Sequence, residues 1–338
     1  MKTKYLRKNK RYTLMELNKD INNIDSWKDK ICSPSCNHKE PLESRNCSYS
    51  PKNPETYFLY QWQSVGDISD ELLQDGSQVK YLKATAVCEF SKRKINDTEG
   101  NLLSKSKRLN IQRTPVLFVQ IKNRIYCIVF TLDEMEIKRI RKLISNSNIA
   151  KLDDRFNINS ELFSWLFFEE RTGAKVNNGI TIRAIKGFSG KIQENESKFA
   201  GKSIKIPSLI VTKTFLVGDY ELTTISLKLD YNGTPTEFYI ERSTDELKVM
   251  VVRGSGTDFM FTAEDVETNM PIYMFFRLIP TIVFAFKKAE PHYEKYDKKE
   301  YLKELGMDVI KIIMEKSNIT KEEMLKMLNL RLSRSLCK

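Results

Sequence analysis

Four residues near the start of the chain have the types to hold a metal. Cys32, Cys36, His38 and Cys47 fall close together in a polar stretch. Zinc takes thiolate and imidazole ligands in a tetrahedron, and three cysteines with one histidine are a common structural set. The segment has little apolar content of its own, so a structural zinc ion would explain how it folds. The spacing is looser than a zinc knuckle, because Cys-x3-Cys is followed by the long gap from His38 to Cys47. The alternative is a group of free thiols in a loop.

A second constellation suits phosphodiester hydrolysis. Metal-dependent nucleases place paired carboxylates and a lysine near strand ends, where they hold the metal and stabilise charge on the phosphate. Asp230 closes one expected strand and Glu246-Leu247-Lys248 opens a later one, with Glu237 and Glu241 between. The match is loose, and in a chain that is 30% charged such patterns also arise on solvated strand faces. Other chemistries are disfavoured by counting. The only histidines are His38 and His292, and neither a Gly-x-x-x-x-Gly-Lys-Ser/Thr loop nor a Gly-x-Gly-x-x-Gly turn occurs.

The strongest signal is clustered positive charge. Lys and Arg number 56 against 44 Asp and Glu, a formal charge of +12. One cluster is an N-terminal arm that includes Lys8, Lys10 and Arg11. A second is a long polar loop with Lys92, Arg93, Lys94, Lys105, Lys107, Arg108 and Arg113. A third lies on a helix, at Lys138, Arg139, Arg141 and Lys142. Neutralising phosphates releases counterions, so such clusters bind polyanions without a fixed motif. Tyr5, Tyr12, Tyr81, Phe90 and Tyr126 lie nearby and could stack on bases where exposed. The leading expectation is non-enzymatic binding of DNA or RNA, with the three clusters forming one basic face. A metal-dependent nuclease is the second reading. A scaffold using apolar C-terminal helices to hold a protein partner or a second copy is the third.

The elements that must position these residues follow from periodicity. Basic residues 2–11 read as a flexible arm, Leu14 to Trp27 as a short amphipathic helix, and Cys32 to Pro54 as loop. Val116–Ile121 and Ile125–Phe130 read as a hairpin, with Asp97 to Gly100 as a turn in the preceding loop. Thr131 with Glu134 makes a capping box for a helix, and Ser160 to Thr172 makes another helix ending at Gly173. Strands are expected from Ile180 to Arg253, among them Ser208–Gly218, with Asn232-Gly233 as a hairpin turn. Helices follow, and Thr320 with Glu323 repeats the capping-box pattern. Strands cluster and then helices cluster, which defines an α+β protein with an antiparallel β-rich middle and a helical C-terminal region. The expected division is residues 1–55, 56–195 and 205–338, as two packed domains or one large one.

Six cysteines in 338 residues are not a disulfide framework, and the first residues are basic and polar. A reducing cytoplasm is the expected setting. The Lys/Asn/Ile-rich composition suggests an AT-rich genome, and a bacterial or phage source is the expectation. The most apolar run, Pro271 to Phe286, contains Arg277 and Pro280, so a buried kinked helix is expected and a membrane contact is not.

Overall fold

The computed structural model describes residues 4–42, 49–72, 78–173, 175–177, 179–192, 197–203, 206–242, 245–257 and 266–326. The chain forms two compact units, each built from two segments. Unit 1 holds Met1–Ile158 and Asp230–Val283, and unit 2 holds Asn159–Leu229 and Phe284–Lys338.

Unit 1 begins with β1 (Lys4–Tyr5), β2 (Lys10–Leu17), α1 (Ile24–Cys32), β3 (His38–Pro41), β4 (Tyr57–Gln63), β5 (Ile68–Leu72) and β6 (Gln78–Ser91). A short helix, α2 (Lys105–Arg108), leads into β7 (Leu109–Ile121), β8 (Arg124–Val129), α3 (Glu134–Ile144) and β9 (Ile149–Ala150). Unit 2 then has α4 (Ser160–Thr172), β10 (Lys175–Asn177), β11 (Ile180–Ile192), β12 (Ser197–Lys202), α5 (Ile210–Val217) and most of β13 (Glu221–Tyr231). The chain returns to unit 1 for β14 (Thr234–Glu241), β15 (Leu247–Val251), β16 (Gly256–Thr257), α6 (Val266–Tyr273) and the start of α7 (Ile279–His292). The last helix, α8 (Lys298–Ser317), belongs to unit 2. The protein is α+β.

In unit 1 the strands follow the order β14-β15-β2-β8-β7-β6-β4-β3. Each neighbouring pair is antiparallel. Strand β2 is central, with Leu14 opposite Leu247 of β15 and Ile128 of β8. Tyr12 to Leu17 are all buried, because both faces of this strand are covered and parity no longer separates inside from outside. Two expectations are thereby corrected. The basic arm contains strand at Lys4–Tyr5 and again from Lys10 onward, and the helix expected from Leu14 starts at Ile24. There the Asn23 side chain caps the helix, accepting from the N–H groups of Asp25 (2.8 Å) and Ser26 (3.2 Å). The loop expected from Cys32 to Pro54 contains β3, which pairs with β4.

Helices α1 and α3 cover one face of this sheet. Trp27 of α1 and Trp62 of β4 meet the Phe118 ring edge-on, at 5.6 and 5.3 Å between centroids. Ile140, Leu143 and Ile144 of α3 complete that core. The other face carries Tyr12 and Tyr126, which meet Phe275 (6.5 Å) and Phe276 (5.1 Å) of a π-helical turn, Met274–Leu278. That turn interrupts the helical run just before Pro280, whose missing N–H could not serve a regular turn. The run Val266–Ser317 is long and apolar enough to cross a membrane by composition, and 72% of its most apolar window is buried inside the protein. The cap of α3 differs from expectation: the Asp133 side chain accepts from Glu136 N–H (2.9 Å), while Thr131 Oγ1 serves Asp133 N–H (3.1 Å).

In unit 2, β11 lies between β10 and β13 and also pairs with β12. Gly173 ends α4 in the left-handed conformation (φ 65°), as expected. The strand expected over 208–218 is instead α5. Its buried residues, Thr212, Phe215 and Leu216, stand three and four positions apart and so form one helical face. The turn at Asn232 (φ 52°) and Gly233 (φ 82°) and the Thr320–Glu323 capping box are as expected.

Phe118 is fully buried between two tryptophans, so Phe118→Ala should cost about 3–5 kcal/mol. In urea unfolding the midpoint falls while the slope stays the same; an unchanged midpoint would show that this core does not govern unit 1.

Candidate nucleic-acid interface

Strands β6 and β7 pair from Val79 opposite Ile121 to Ser91 opposite Leu109, a ribbon roughly 40 Å long at ~3.3 Å per residue. Strand β8 covers only Val116 to Ile121 of β7, so the ribbon runs on past it. The connection 92–108 closes the far end. Asp97 builds the expected turn there, accepting from Glu99 N–H (2.9 Å) and Asn101 N–H (2.8 Å), with Gly100 at φ 86°. Arg108 locks its base. Its side chain is wholly buried, donates from Nε to the Leu103 carbonyl (2.9 Å), and pairs through Nη2 with Glu55 Oε2 (3.2 Å). Arg108 is therefore an internal cross-link and not the phosphate contact expected.

Other expected contacts are also engaged. Lys10 pairs with Glu267 (2.7 Å), Lys105 with Glu89 (2.6 Å), Arg141 with Glu246 (3.4 Å) and Lys142 with Glu40. Arg139 lies over the Phe90 ring at 4.1 Å. By contrast Lys8, Arg11, Lys92, Arg93, Lys94, Lys107, Arg113 and Lys138 are exposed, and none makes an ion pair among the described residues. These eight do not form one face. Val116 and Phe118 of β7 point into the core under α1 and α3, so Arg113, of opposite parity, emerges on the other side from Lys138 of α3. What stays together is the ribbon end. Lys92, Arg93, Lys94 and Lys107 share it, and Lys92 Nζ donates across it to the Lys107 carbonyl (3.1 Å). Tyr12, Tyr81 and Tyr126 are core residues, so they offer no platform for bases; Tyr5 is exposed.

The nuclease constellation does not converge. Lys248 Nζ meets Glu246 Oε1 (3.3 Å) and Glu134, and Glu246 Oε2 accepts from Arg141. Asp230 instead caps the Asn232-Gly233 turn, accepting from Gly233 N–H (2.8 Å). That turn precedes Thr234, the first residue of β14, whereas Lys248 stands opposite Glu241, the last. Seven strand steps, roughly 23 Å, separate the two ends.

Of the metal candidates, Cys32 ends α1 and is exposed, while Cys36 lies in a short 3-10 turn where burial pushes its thiol pKa up. His38 opens β3 and its Nε2 lies 2.8 Å from Glu40 Oε2. Cys47 lies outside the described residues. Among the described residues no three His, Cys, Asp or Glu side chains are grouped to hold a metal.

A cleft unremarked in the sequence opens elsewhere in unit 1, with a volume of about 800 Å³. Its floor is an ion network. Glu16, at the inner end of β2, is 2% exposed; its Oε1 accepts from Arg124 Nη1 (2.9 Å) and its Oε2 from Asp153 N–H (3.1 Å). Asp153 Oδ2 accepts from the same Arg124 nitrogen (2.9 Å), from Tyr126 (3.1 Å) and from Arg155 Nη2 (2.8 Å). Burial dominates at Glu16 and raises its pKa. At Asp153 burial acts the same way, but hydrogen bonds from Arg155 outweigh it and hold the pKa below the usual aspartate range. The one available signal is Glu16 itself, a charge inside the apolar run Tyr12–Leu17. Its partners come from distant segments that no local spacing connects.

Comparison with known protein families finds no match for this chain, and comparison with curated proteins finds no similar sequence.

The two acids have opposite signs in acid. Asp153 contributes stability that is complete above the ordinary aspartate range and is lost as pH falls through its depressed folded value. Burial raises the Glu16 pKa, so Glu16 costs stability while charged and returns it as pH falls through the raised folded value. Asp153→Asn should therefore lower stability at neutral pH by about 1.5–3 kcal/mol, the scale of hydrogen bonds to a charged group. It should also show a shallower loss in acid. Melting curves recorded from neutral to acid pH check both; a variant as acid-sensitive as wild type would remove Asp153 from the account.

Proposed function

We propose that this protein binds nucleic acid without catalysis, by phosphate contact through the far end of the β6–β7 ribbon. One observation carries the reading: four exposed cations, Lys92, Arg93, Lys94 and Lys107, are held at one hairpin end with no acidic partner among the described residues. The ribbon is stiff, being paired along its length and locked at its base by Arg108, so the charges approach a duplex or a single strand as a fixed group. The overall charge of +12 steers polyanions toward the surface. Backbone contact of this kind carries no sequence preference. The described cysteines, Cys32, Cys36, Cys88 and Cys127, are free thiols, which supports a reducing cytoplasmic setting.

Replacing Lys92, Arg93, Lys94 and Lys107 together by alanine should weaken binding of DNA and RNA of any sequence. The salt dependence should fall too, by about 0.7–0.9 in log–log slope for each phosphate no longer neutralised. Labelled single- and double-stranded DNA and RNA across a salt series provide the readout. Unchanged affinity with unchanged slope would remove the ribbon end from the interface.

A further inference from the structure

We propose that the cleft over Glu16 and Asp153 is a binding site for a small polyphosphate, of the pyrophosphate or nucleoside-diphosphate class. Five cations line it: Lys19, Lys122, Arg124, Lys151 and Arg155. Three carboxylates, Glu16, Asp153 and Asp154, oppose them, which leaves an excess of two positive charges. Two of the acids, Glu16 and Asp153, face inward as anchors, and the third, Asp154, is exposed. Glu16 and Asp153 are occupied by arginine and backbone donors, so they hold the arginines in place and are not open to a cation. Arg124 uses a single nitrogen, Nη1, for both carboxylate contacts, and Arg155 uses Nε and Nη2 for Asp153. Both side chains remain partly exposed at the cleft, at 36% and 46%. Two planar guanidinium groups fixed by buried acids are preorganised donors for phosphoryl oxygens.

The rim is built, and its parts come from three places in the chain. Gln120 ties two of them together. It accepts from Ile24 N–H (2.8 Å) and donates to the carbonyls of Asn22 (2.9 Å) and Lys122 (3.0 Å), joining the segment after Lys19 to the turn that carries Lys122. Asn18 N–H donates to the Asn148 carbonyl (2.8 Å), and Glu16 holds Asp153 N–H; together these bring in the segment that carries Lys151. Lys122 takes φ 54°, a conformation glycine or asparagine would adopt at lower cost. A lysine at this position puts a charge at the rim at a local energetic cost.

The size and lining narrow the ligand. The volume of about 800 Å³ lies in the range of small-molecule sites and exceeds what one phosphate fills. The uncharged lining residues are Ile121, Asn123 and Ala150, too few for an apolar ligand. A second hollow of about 230 Å³, lined by Gln78, Lys80, Gln120 and Lys122, lies on the opposite face of the sheet, the face of Phe118, and is separate from the cleft. Two fixed guanidinium groups with lysines at the rim suit a ligand with two phosphoryl groups. The inference is independent of the ribbon end, whose four cations take no part in the cleft.

Calorimetric titration of the full chain at low salt with inorganic pyrophosphate, adenosine diphosphate and adenosine tests it. Saturable binding of the first two, and none of adenosine, is expected. Lys122→Gln with Lys151→Gln, both exposed, should weaken pyrophosphate roughly tenfold or more with no change in melting temperature. The ribbon variant should bind pyrophosphate as wild type does, so loss of nucleic-acid binding and loss of this site are separate outcomes. No saturable heat with pyrophosphate, equal binding by the lysine variant, or adenosine binding as tightly as its diphosphate would each overturn the proposal.

Discussion

The burial of one carboxylate, Glu16, sets the terms for much of unit 1. It sits near the end of the central strand β2, almost wholly buried beneath the cleft. An ionised group taken out of water there is tolerable only with charged partners and satisfied lone pairs. Arg124 of β8 and the Asp153 backbone supply them. Asp153 then needs donors of its own, from Arg155 and Tyr126. The consequence is a chain of obligations that fixes β2, the β7–β8 turn and the segment after β9 to one another. Phe156, next to Arg155, packs on Tyr126 at 5.7 Å and carries the same constraint into the core.

Parts of this organisation are legible in the sequence where a residue's chemistry is spent locally. Asn232-Gly233 makes its turn because both positions take positive φ, and Glu323 answers Thr320 within a single turn of helix. The 116–121 and 125–130 runs pair because few residues separate them. Strand β2 is not legible, for a physical reason. Buried on both faces, its residues lack the alternation that marks a half-covered strand, and its basic start resembles a free arm. Helix α5 reads as a strand because Val211, Thr212 and Thr214 favour strands by their own propensity, while the packing of Phe215 and Leu216 imposes a helix. The basic residues are legible as a total but not by role. Burial of Arg108 and the pairing of Lys105, Arg141 and Lys142 depend on acids between about 16 and 105 positions away.

The two positively charged features of unit 1 differ in how they are made. At the ribbon end three of the four charges are neighbours in sequence and the fourth, Lys107, closes the same connection, all presented outward without acidic partners among the described residues. In the cleft they arrive from separate segments and are anchored by acids below. The first arrangement suits a long, repetitive polyanion read by charge alone; the second suits a compact ligand held at defined donors.

The position of β2 between β8 and β15 has a consequence during synthesis. Once β8 has emerged from the ribosome, β2 can take it as a partner, but β15 lies about 120 residues further along. At ~5–20 residues per second, the other edge of β2 beyond Glu16 and Leu17, which β9 takes, stays bare for roughly 6–24 s while the first segment of unit 2 is made. An apolar strand edge exposed for that long invites pairing with another chain. Lys10 and Arg11, which open the strand, put charge on that nascent edge, and such charges discourage wrong partners until Val251 arrives opposite Lys10 to close it.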